Sequence, residues 1–193
     1  MSPTAAHRWD DRYQREREFW LELEPRQLLI SYSHLLPAEG CALDAACGVA
    51  VNAHYLAQQG LKVLALDISG YALQLAKQRA RSSGLPIEFA VYDLSNPWLP
   101  TSYFDVITNF HFLERATIPV YRQALKPGSL IFFDTFVKLK DREDNPIYYL
   151  EPGELLERFH GYEVIHYTED ELPPSESHPE RGLAQLVARK PEQ

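Results

Sequence analysis

The residues of this sequence best suited to chemistry are a small-residue turn between two apolar segments and the acid that ends the second segment. Residues 42–53 begin as an apolar strand, tighten at Gly48 and continue as an apolar-faced helix, and the next strand ends at Asp67. Small residues let the backbone approach a ligand closely, and a helix N-terminus offers unpaired N–H groups. Because the acid stands where ribose hydroxyls need an acceptor, the segment predicts a nucleotide-type cofactor across the ends of a parallel sheet.

The length and composition are those of one soluble domain, and we expect residues 1–193 to form it. Hydrophobic residues make up 45% of the chain and charged residues 24%, which is ordinary globular usage. No apolar run approaches the roughly 20 residues of a membrane-spanning helix, and the N-terminus lacks the apolar core of a signal peptide. We therefore expect a cytoplasmic protein with no membrane partner.

The charge and cysteine content exclude further classes of partner. A net charge of −8 argues against nucleic acid, because phosphate binding needs a basic surface. Cys41 and Cys47 are too few for a disulfide framework and are not spaced as metal ligands. We expect both to be small residues of a reduced protein, and we expect no metal site.

Strands and helices alternate along most of the chain, which predicts an α/β fold with a doubly wound, mainly parallel sheet. Helices are predicted over residues 9–20, 26–36, 51–59, 70–82, 116–125 and 154–159, and strands over residues 41–46, 62–66, 87–91, 104–109, 130–135, 163–167 and 184–188. Only a polar loop through Pro173, Pro174 and Ser175 joins the last two strands. A parallel crossover needs a longer connection, so these two complete a seven-stranded sheet as a C-terminal antiparallel hairpin.

Several short motifs narrow the choice of cofactor. Dinucleotide folds use a G-x-G-x-x-G turn, of which residues 48–53 keep only the first glycine. Asp44 before the turn, Asp93 after the third strand and the terminal hairpin fit S-adenosylmethionine better. With the motifs at residues 9–13, 44–50, 67–69, 93–94, 104–107 and 125–128, the sequence resembles the class I S-adenosylmethionine-dependent methyltransferases over nearly its whole length. It looks most similar to the small tellurite-resistance and thiopurine-type branch, which implies a Rossmann-like methyltransferase fold.

The resemblance assigns cofactor roles to residues at the strand ends. Asp44 would order the turn and help hold the amino group of the cofactor, and Gly48 would let the backbone pass close to its methionine part. Asp67 would accept hydrogen bonds from the ribose hydroxyls, and Asp93 from the adenine amino group. The full set that the resemblance implies for the cofactor is Asp44, Ala46, Gly48, Asn52, Asp67, Ile68, Asp93, Leu94, Asn109 and Phe110.

Two further groups follow from the same resemblance. Asn109 and His111, just past the fourth strand, occupy the family's position beside the reacting methyl, and His111 is the candidate for a catalytic base. Residues 1–36 would form a helical lid, to which the resemblance assigns Trp9, Arg12 and Tyr13. Each assignment has a structural alternative: Asp44 could cap the turn, Asp93 could belong to a polar loop, His111 could be a core histidine, and Trp9 and Tyr13 could be packing residues.

The sequence departs from the family pattern at Ala50, where relatives usually carry glycine, and at Ala46, which replaces another frequent glycine. A methyl group at position 50 either restricts the backbone or presses on the ligand. In the second case, glycine would improve cofactor affinity. If position 50 instead needs a positive φ angle, glycine would stabilise the fold as well.

The function predicted is transfer of a methyl group from S-adenosylmethionine to a small-molecule acceptor, such as a thiol or a metalloid. Such a displacement needs alignment and desolvation more than a nucleophilic side chain. A weakly active or non-enzymatic cofactor-binding module is the alternative, supported by the alanines in the turn. A nicotinamide-dependent oxidoreductase is the third hypothesis, disfavoured by the missing glycines and the terminal hairpin.

Overall fold

A seven-stranded sheet forms the centre of the protein. The computed structural model describes residues 3–139, 147–173 and 181–192. The strand order is β3-β2-β1-β4-β5-β7-β6, which confirms the predicted number of strands and the doubly wound topology. The strands are β1 Gly40–Ala45, β2 Leu61–Asp67, β3 Ile87–Val91, β4 Phe104–Phe110, β5 Leu125–Val137, β6 Glu163–Leu172 and β7 Arg181–Arg189.

Strands β1 to β5 pair in parallel, whereas β7 pairs antiparallel with both β5 and β6. The predicted C-terminal hairpin is therefore confirmed at the edge of the sheet. Val137, the last residue of β5, lies opposite Gly182 near the start of β7. As a result, the first residues of β7 reach the same edge of the sheet as the carboxyl ends of β4 and β5.

The tail contains more strand than the sequence predicted. We expected a polar loop from residue 168 onwards, but β6 continues to Leu172, which lies opposite Arg181 in β7. The added residues include three consecutive acids, Glu169, Asp170 and Glu171. Charged residues are common on an edge strand, where they oppose pairing with another chain, so the acidic run does not indicate a loop. The part of the predicted loop at Pro174 and Ser175 lies outside the described residues.

The helices pack on both faces of the sheet. They are α1 Pro3–Arg15, α2 Arg17–Leu21, α3 Gln27–Ser31, α4 Val51–Gln58, α5 Gly70–Ser83, α6 Thr117–Ala124 and α7 Glu154–Arg158, with a 3₁₀ turn at Ser33–Leu35. We expected one N-terminal helix over residues 9–20, but the chain leaves helical geometry at Glu16. This break lets the ring of Trp20 turn back onto Tyr13, with 4.7 Å between the ring centroids.

The core consists of two apolar layers separated by the sheet. Successive residues of one strand enter opposite layers, as Ala42 and Leu43 of β1 do. Ile131 and Phe132 of β5 alternate in the same way. This explains the continuous apolar runs in the sequence, because a parallel strand covered on both faces has no solvent side. Within the described residues, no helix is long and apolar enough to cross a bilayer.

Candidate functional site

A cavity of about 850 Å³ lies at the carboxyl edge of the parallel strands, beneath α1 and α2. Its volume is within the range of cofactor and substrate pockets, roughly 300–1,000 Å³. Most of the residues proposed from the sequence line it together: Trp9, Arg12, Tyr13, Asp44, Ala46, Gly48, Asn52, Asp67, Ile68, Asp93, Leu94, Phe110 and His111.

The turn after β1 owes its shape to three residues with positive φ angles. Ala46, Gly48 and Ala50 have φ values of 51°, 54° and 59°, all in the left-handed region. That region costs a residue with a Cβ atom free energy, so both alanines are strained. Gly48 is required for a second reason, because a Cβ atom there would lie 2.6 Å from the hydroxyl oxygen of Tyr13.

Ala50 restricts the backbone and does not obstruct the cavity. The residue is fully buried and belongs to the apolar layer around α4, and it is absent from the cavity lining. Of the two effects foreseen for its methyl group, the structure therefore shows the conformational one. The neighbouring Val49 and Val51 do line the cavity.

Asp44 is buried beneath the turn and fastens it to two elements. Its Oδ2 accepts a hydrogen bond from the N–H of Ala53 at 3.0 Å, near the start of α4, and its Oδ1 accepts one from the Thr108 hydroxyl at 2.8 Å. Burial raises the pKa of Asp44 to about 7, although these two hydrogen bonds lower it. The expectation that Asp44 orders the turn agrees with these contacts.

Asp67, at the end of β2, joins the turn to the start of α5. Its Oδ2 accepts from the N–H of Gly48 at 2.7 Å, and its Oδ1 accepts from the N–H of Ser69 at 2.8 Å. Burial raises the pKa of Asp67 to about 6, against the effect of these hydrogen bonds. Each carboxylate oxygen can accept more than one hydrogen bond, so Asp67 keeps acceptor capacity toward the cavity.

The third strand contributes one wall of the cavity. Asp93 and Leu94 lie just beyond β3, and Asp93 Oδ1 accepts from the N–H of Ser95 at 2.9 Å. Ile68 and Tyr92 line the same region. A carboxylate, a buried leucine and an aliphatic face are therefore grouped beside Asp67, the arrangement expected for a purine and its ribose.

Helix α1 is fixed over the cavity by an aspartate that the sequence analysis did not single out. Asp10 Oδ1 accepts from the Ser69 hydroxyl at 2.6 Å and from the N–H of Tyr71 at 3.0 Å, so it caps the N-terminus of α5 from another helix. Arg12 lies 5.4 Å from the ring centroids of both Trp9 and Trp20. Only the position of Asp10 between two predicted lid residues could have indicated its role.

His111 follows β4 and faces the cavity, where 43% of its side-chain surface remains exposed. Its ring stacks on Phe136 with the centroids 5.2 Å apart, and its backbone N–H donates to Asp134 Oδ1 at 2.8 Å. Partial burial lowers the pKa of His111, Asp134 raises it, and Arg26 and Arg181 lower it further. The net pKa lies below the usual value, so the imidazole is neutral at pH 7 and able to accept a proton.

Asn109 does not join the site, contrary to the sequence prediction. The residue is fully buried and outside the cavity lining. Its Nδ2 donates to the carbonyl of Phe112 at 2.8 Å, and its Oδ1 accepts from the Tyr121 hydroxyl at 3.2 Å. Side chains alternate along a strand, and the adjacent Phe110 is the one that lines the cavity.

An ion pair that the sequence analysis missed lies beneath His111. Arg26 donates from Nη2 to Asp134 Oδ2 at 2.7 Å and from Nε to the same oxygen at 3.0 Å. The backbone N–H of Arg26 also donates to Asn52 Oδ1 at 2.9 Å, which ties the segment before α3 to α4. The signal available in the sequence was an acid inside the apolar run of residues 130–135, because a buried carboxylate needs a partner.

Comparison with known proteins agrees with this geometry. Residues 42–128, which include the turn and all three cofactor-side acids, match a family model described as a methyltransferase domain. This segment therefore resembles a methyltransferase domain. The chain is 32% identical over 138 residues to a ubiquinone biosynthesis O-methyltransferase of Nitrosococcus oceani, an alignment that covers 67% of this chain and 57% of the relative. The chain therefore spans little more than half the length of that relative.

Solved structures confirm the fold. TehB from Haemophilus influenzae superposes with a TM-score of 0.75 at 20% identity, over 94% of this chain and 67% of that chain. A structure described as a SAM-dependent methyltransferase from Methanosarcina mazei superposes with a TM-score of 0.68 at 21% identity, over 89% of this chain and 100% of that one. The fold is that of the class I, S-adenosylmethionine-dependent methyltransferases.

Proposed function

We propose that this chain transfers a methyl group from S-adenosylmethionine to a hydroxyl or thiol group of a small-molecule acceptor. The observation that carries the proposal is that one cavity brings together the turn at Gly48, the acids Asp67 and Asp93, and the neutral His111. The acids and the turn lie at the ends of β1 to β3, and His111 lies beyond them at the end of β4. The cavity therefore has a cofactor half and an acceptor half.

The cofactor half suits a cationic nucleoside ligand. Asp44 and the strained turn would hold the methionine part, Asp67 the ribose hydroxyls, and Asp93 with Leu94 and Ile68 the adenine. When bound, S-adenosylmethionine supplies an activated methyl group with a good leaving group. The chain itself contributes alignment and exclusion of water. The aromatic rings of α1 and α2 cover the cavity as a lid and would help to exclude water.

The acceptor half supports a proton-transfer role for His111. A hydroxyl acceptor loses its proton as its oxygen gains the methyl group, and the neutral imidazole is the proton acceptor facing the cavity at that point. The relative from Nitrosococcus oceani bears the name of an O-methyltransferase, which favours a hydroxyl acceptor over the thiol or metalloid of the original prediction. We also propose that the chain belongs to the tellurite-resistance and thiopurine-type branch. The motif of residues 9–13, which packs over the cavity, supports this proposal.

One structural feature favours the weakly active module as a second candidate. The Tyr13 hydroxyl lies close above Gly48, and two strained alanines flank that glycine. If these features exclude the cofactor, the cavity would be a remnant site. The same geometry fits an active enzyme whose lid is closed, and cofactor binding distinguishes the two.

Calorimetry with S-adenosylhomocysteine tests the cofactor half. We expect binding by the parent chain and a loss of about 1–3 kcal/mol on Asp67→Ala, the usual cost of removing a charged hydrogen-bond acceptor. Asp105→Ala is the control, since that carboxylate lies at the opposite end of the sheet, where it binds Lys126 and the N–H of Cys41. No binding by the parent would support the remnant-site alternative, and unchanged binding by Asp67→Ala would contradict the assigned role.

A variant of His111 tests the acceptor half. We expect His111→Ala to slow transfer to a hydroxyl acceptor by about 10²–10⁴-fold and to slow transfer to an already ionised thiol only modestly. Cofactor affinity, measured in parallel, should stay near the parent value. Equal rates for the parent and the variant with every acceptor would rule out a catalytic role for His111.

A further inference from the structure

The acceptor half of the cavity contains a cation that no residue of the described chain neutralises. Arg181 lines the cavity, and within the described ranges no carboxylate lies within ion-pair distance of its guanidinium. The other arginine at this end, Arg26, is already paired with Asp134. Among the described residues, Arg181 is therefore a positive charge near His111 without a carboxylate partner.

An aromatic ring connects Arg181 to the proposed catalytic base. The Arg181 guanidinium lies 4.5 Å from the ring centroid of Phe136, and the ring of His111 stacks on the same phenylalanine. Stacking on a ring restricts a guanidinium to one plane while leaving its N–H groups free to donate outward. Phe136 therefore contacts both His111 and Arg181 at the end of the cavity.

The position of Arg181 follows from the antiparallel pairing of β7. Because β7 runs against β5, its first residue reaches the carboxyl edge where the site lies, and its last residues reach the opposite edge. Strand β7 lies three places from β1 in the sheet, about 14 Å at the usual strand spacing. Arg181 is therefore remote from the turn at Gly48 and belongs to the acceptor half.

No acid of the described lining forms an ion pair with Arg181. Asp134 is bound by Arg26, and Glu114, on the loop after β4, accepts a hydrogen bond from the N–H of Ala116 at the start of α6. Of the remaining acids of the lining, Glu24 lies on the segment between α2 and α3, and Asp44, Asp67 and Asp93 lie at or just beyond the ends of β1 to β3.

We infer that the methyl acceptor is an aromatic carboxylic acid, whose carboxylate binds Arg181 while its hydroxyl or thiol group lies at His111. The inference rests on the proposed methyltransferase function and adds the class of substrate. A guanidinium fork matches a carboxylate with two parallel hydrogen bonds. The rings of Phe110, Phe112 and Phe136 line the same end of the cavity and suit a flat aromatic body between the two polar groups.

Matched acceptors that differ only in charge test the inference. The pairs are 4-hydroxybenzoate with 4-hydroxybenzamide, and 4-mercaptobenzoate with 4-mercaptobenzamide, together with their 3-substituted isomers. For the parent chain, we expect kcat/KM for the acid to exceed that for the amide by about tenfold to a hundredfold, the usual worth of a charge-assisted pair. Arg181→Gln should remove this preference by raising KM for the acids alone, and Arg181→Lys should restore part of it.

Two controls separate this inference from the proposed function. Arg189→Gln makes the same change at the opposite end of β7, where the arginine contacts Glu163, and should keep the preference. Affinity for S-adenosylhomocysteine, measured by calorimetry, should be unchanged in Arg181→Gln. A loss of that affinity would place Arg181 on the cofactor and overturn the inference.

The remaining outcomes are also decisive. If amides are methylated as well as acids, or if Arg181→Gln changes both equally, the inference is wrong while the methyltransferase function stands. If no acceptor turns over, calorimetry of the acids and amides on the S-adenosylhomocysteine complex decides, and a lack of preference for every acid overturns the inference. Failure of the parent to bind S-adenosylhomocysteine would reject the proposed function, and with it the inference.

Discussion

At the scale of single residues, the turn after β1 is held by two alanines in a conformation that glycine adopts more easily. Ala46 and Ala50 have φ values of 51° and 59°. A left-handed conformation costs such a residue roughly 1–2 kcal/mol, so the rest of the turn must over-determine it. The hydrogen bonds from Gly48 to Asp67 and from Ala53 to Asp44 do so by holding both ends of the turn.

We expect the free energy of unfolding of Ala50→Gly to be higher than that of the parent, or at most about 0.5 kcal/mol lower. Relief of roughly 1–2 kcal/mol of strain offsets the greater freedom of glycine in the unfolded chain and the lost burial of one methyl group. The control is Ala53→Gly, a buried helical position nearby, which should lose about 1.5–2 kcal/mol. Denaturant unfolding of both variants gives the comparison, and equal losses would contradict the strained conformation.

Cofactor affinity gives the second measurement on Ala50→Gly. Because the Ala50 methyl group packs into the core and not into the cavity, we expect S-adenosylhomocysteine to bind the variant and the parent alike. Clearly tighter binding by the variant would show that the methyl group does obstruct the ligand.

The buried Asp44 predicts a dependence of stability on pH. Its pKa is about 7 in the folded protein, because burial disfavours the charged form, against about 3.9 in an unfolded chain. The folded state therefore binds more protons between about pH 4 and 7, so the Asp44 contribution to stability is complete below pH 4 and is lost as the pH rises through 7.

The variant Asp44→Asn isolates this effect, because its amide can still accept from Ala53 and donate to the Thr108 hydroxyl. We expect its stability, relative to the parent, to improve from pH 5 to pH 8. Denaturant midpoints of both proteins at several pH values give the difference. A difference that stays constant with pH would contradict the raised pKa.

At the scale of elements, Glu154 at the start of α7 fastens that helix to the loop before α6. Its Oε1 accepts from Arg115 at 2.7 Å and from Arg158 at 2.6 Å, and its Oε2 accepts from the N–H of Glu151 at 3.0 Å. Burial raises the pKa of Glu154, but these hydrogen bonds outweigh it and lower the pKa to about 2. The stability from Glu154 is therefore present above its unfolded pKa, about 4.3, and is lost as the pH falls through 2.

We expect Glu154→Gln to lower the free energy of unfolding by about 1–3 kcal/mol at pH 7, the usual loss for hydrogen bonds to a charged group. The difference from the parent should shrink below about pH 4, because Glu154 of the unfolded parent chain binds a proton there while the folded carboxylate stays ionised until about pH 2. Glu157→Gln, at an exposed position of the same helix, is the control and should change little. Thermal or denaturant unfolding at pH 7 and pH 3 checks both, and equal losses for the two variants would contradict the role of Glu154.

The sequence predicted the sheet, and it singled out the acids that line the proposed cofactor half of the cavity. Apolar runs and the turn at Gly48 locate the strands, and the acids Asp44, Asp67 and Asp93 stand at strand ends, where parallel topology must group them. Local patterns of this kind need no knowledge of the remainder of the chain.

The acceptor half could not be predicted in the same way. Arg26, Asp134 and Arg181 are 47 to 155 residues apart in the chain, and only the pairing of β5 with β7 and the entry into α3 bring them together. Asn109 was misplaced for a local reason, since a strand presents alternate residues to opposite faces and the periodicity does not say which face is the cavity.

At the scale of the whole molecule, Asp44, Asp67 and Asp93 lie on one side of the cavity, and the neutral His111 and Arg181 lie on the other, together with Glu114. Strand order puts Asp67 and Asp93 on one side of β1, and β4, β5 and β7 on the other. A cationic cofactor and an anionic acceptor would each meet the opposite charge on its own side. Such a separation of charge would attract both ligands into one cavity and orient each of them for the reaction.

The lid predicts a change in the rate of cofactor release. We expect Asp10→Ala to speed dissociation of S-adenosylhomocysteine by about fivefold, since loss of a helix cap costs about 1 kcal/mol. Asp11→Ala, at the exposed neighbouring position of α1, should leave the rate unchanged. Stopped-flow displacement measures both rates, and equal rates for Asp10→Ala and the parent would show that α1 does not retain the ligand.

Ser69 gives the contacts of Asp10 a wider consequence. Its hydroxyl donates to Asp10 in the lid, while its N–H donates to Asp67 beneath the proposed ribose site. One residue thus joins the roof of the cavity to its floor, so we expect opening of the proposed lid to loosen the contact with Asp67 as well. S-adenosylhomocysteine would then dissociate when the lid opens, and the time that the lid stays closed would limit the turnover rate. Turnover would therefore slow in a viscous solvent.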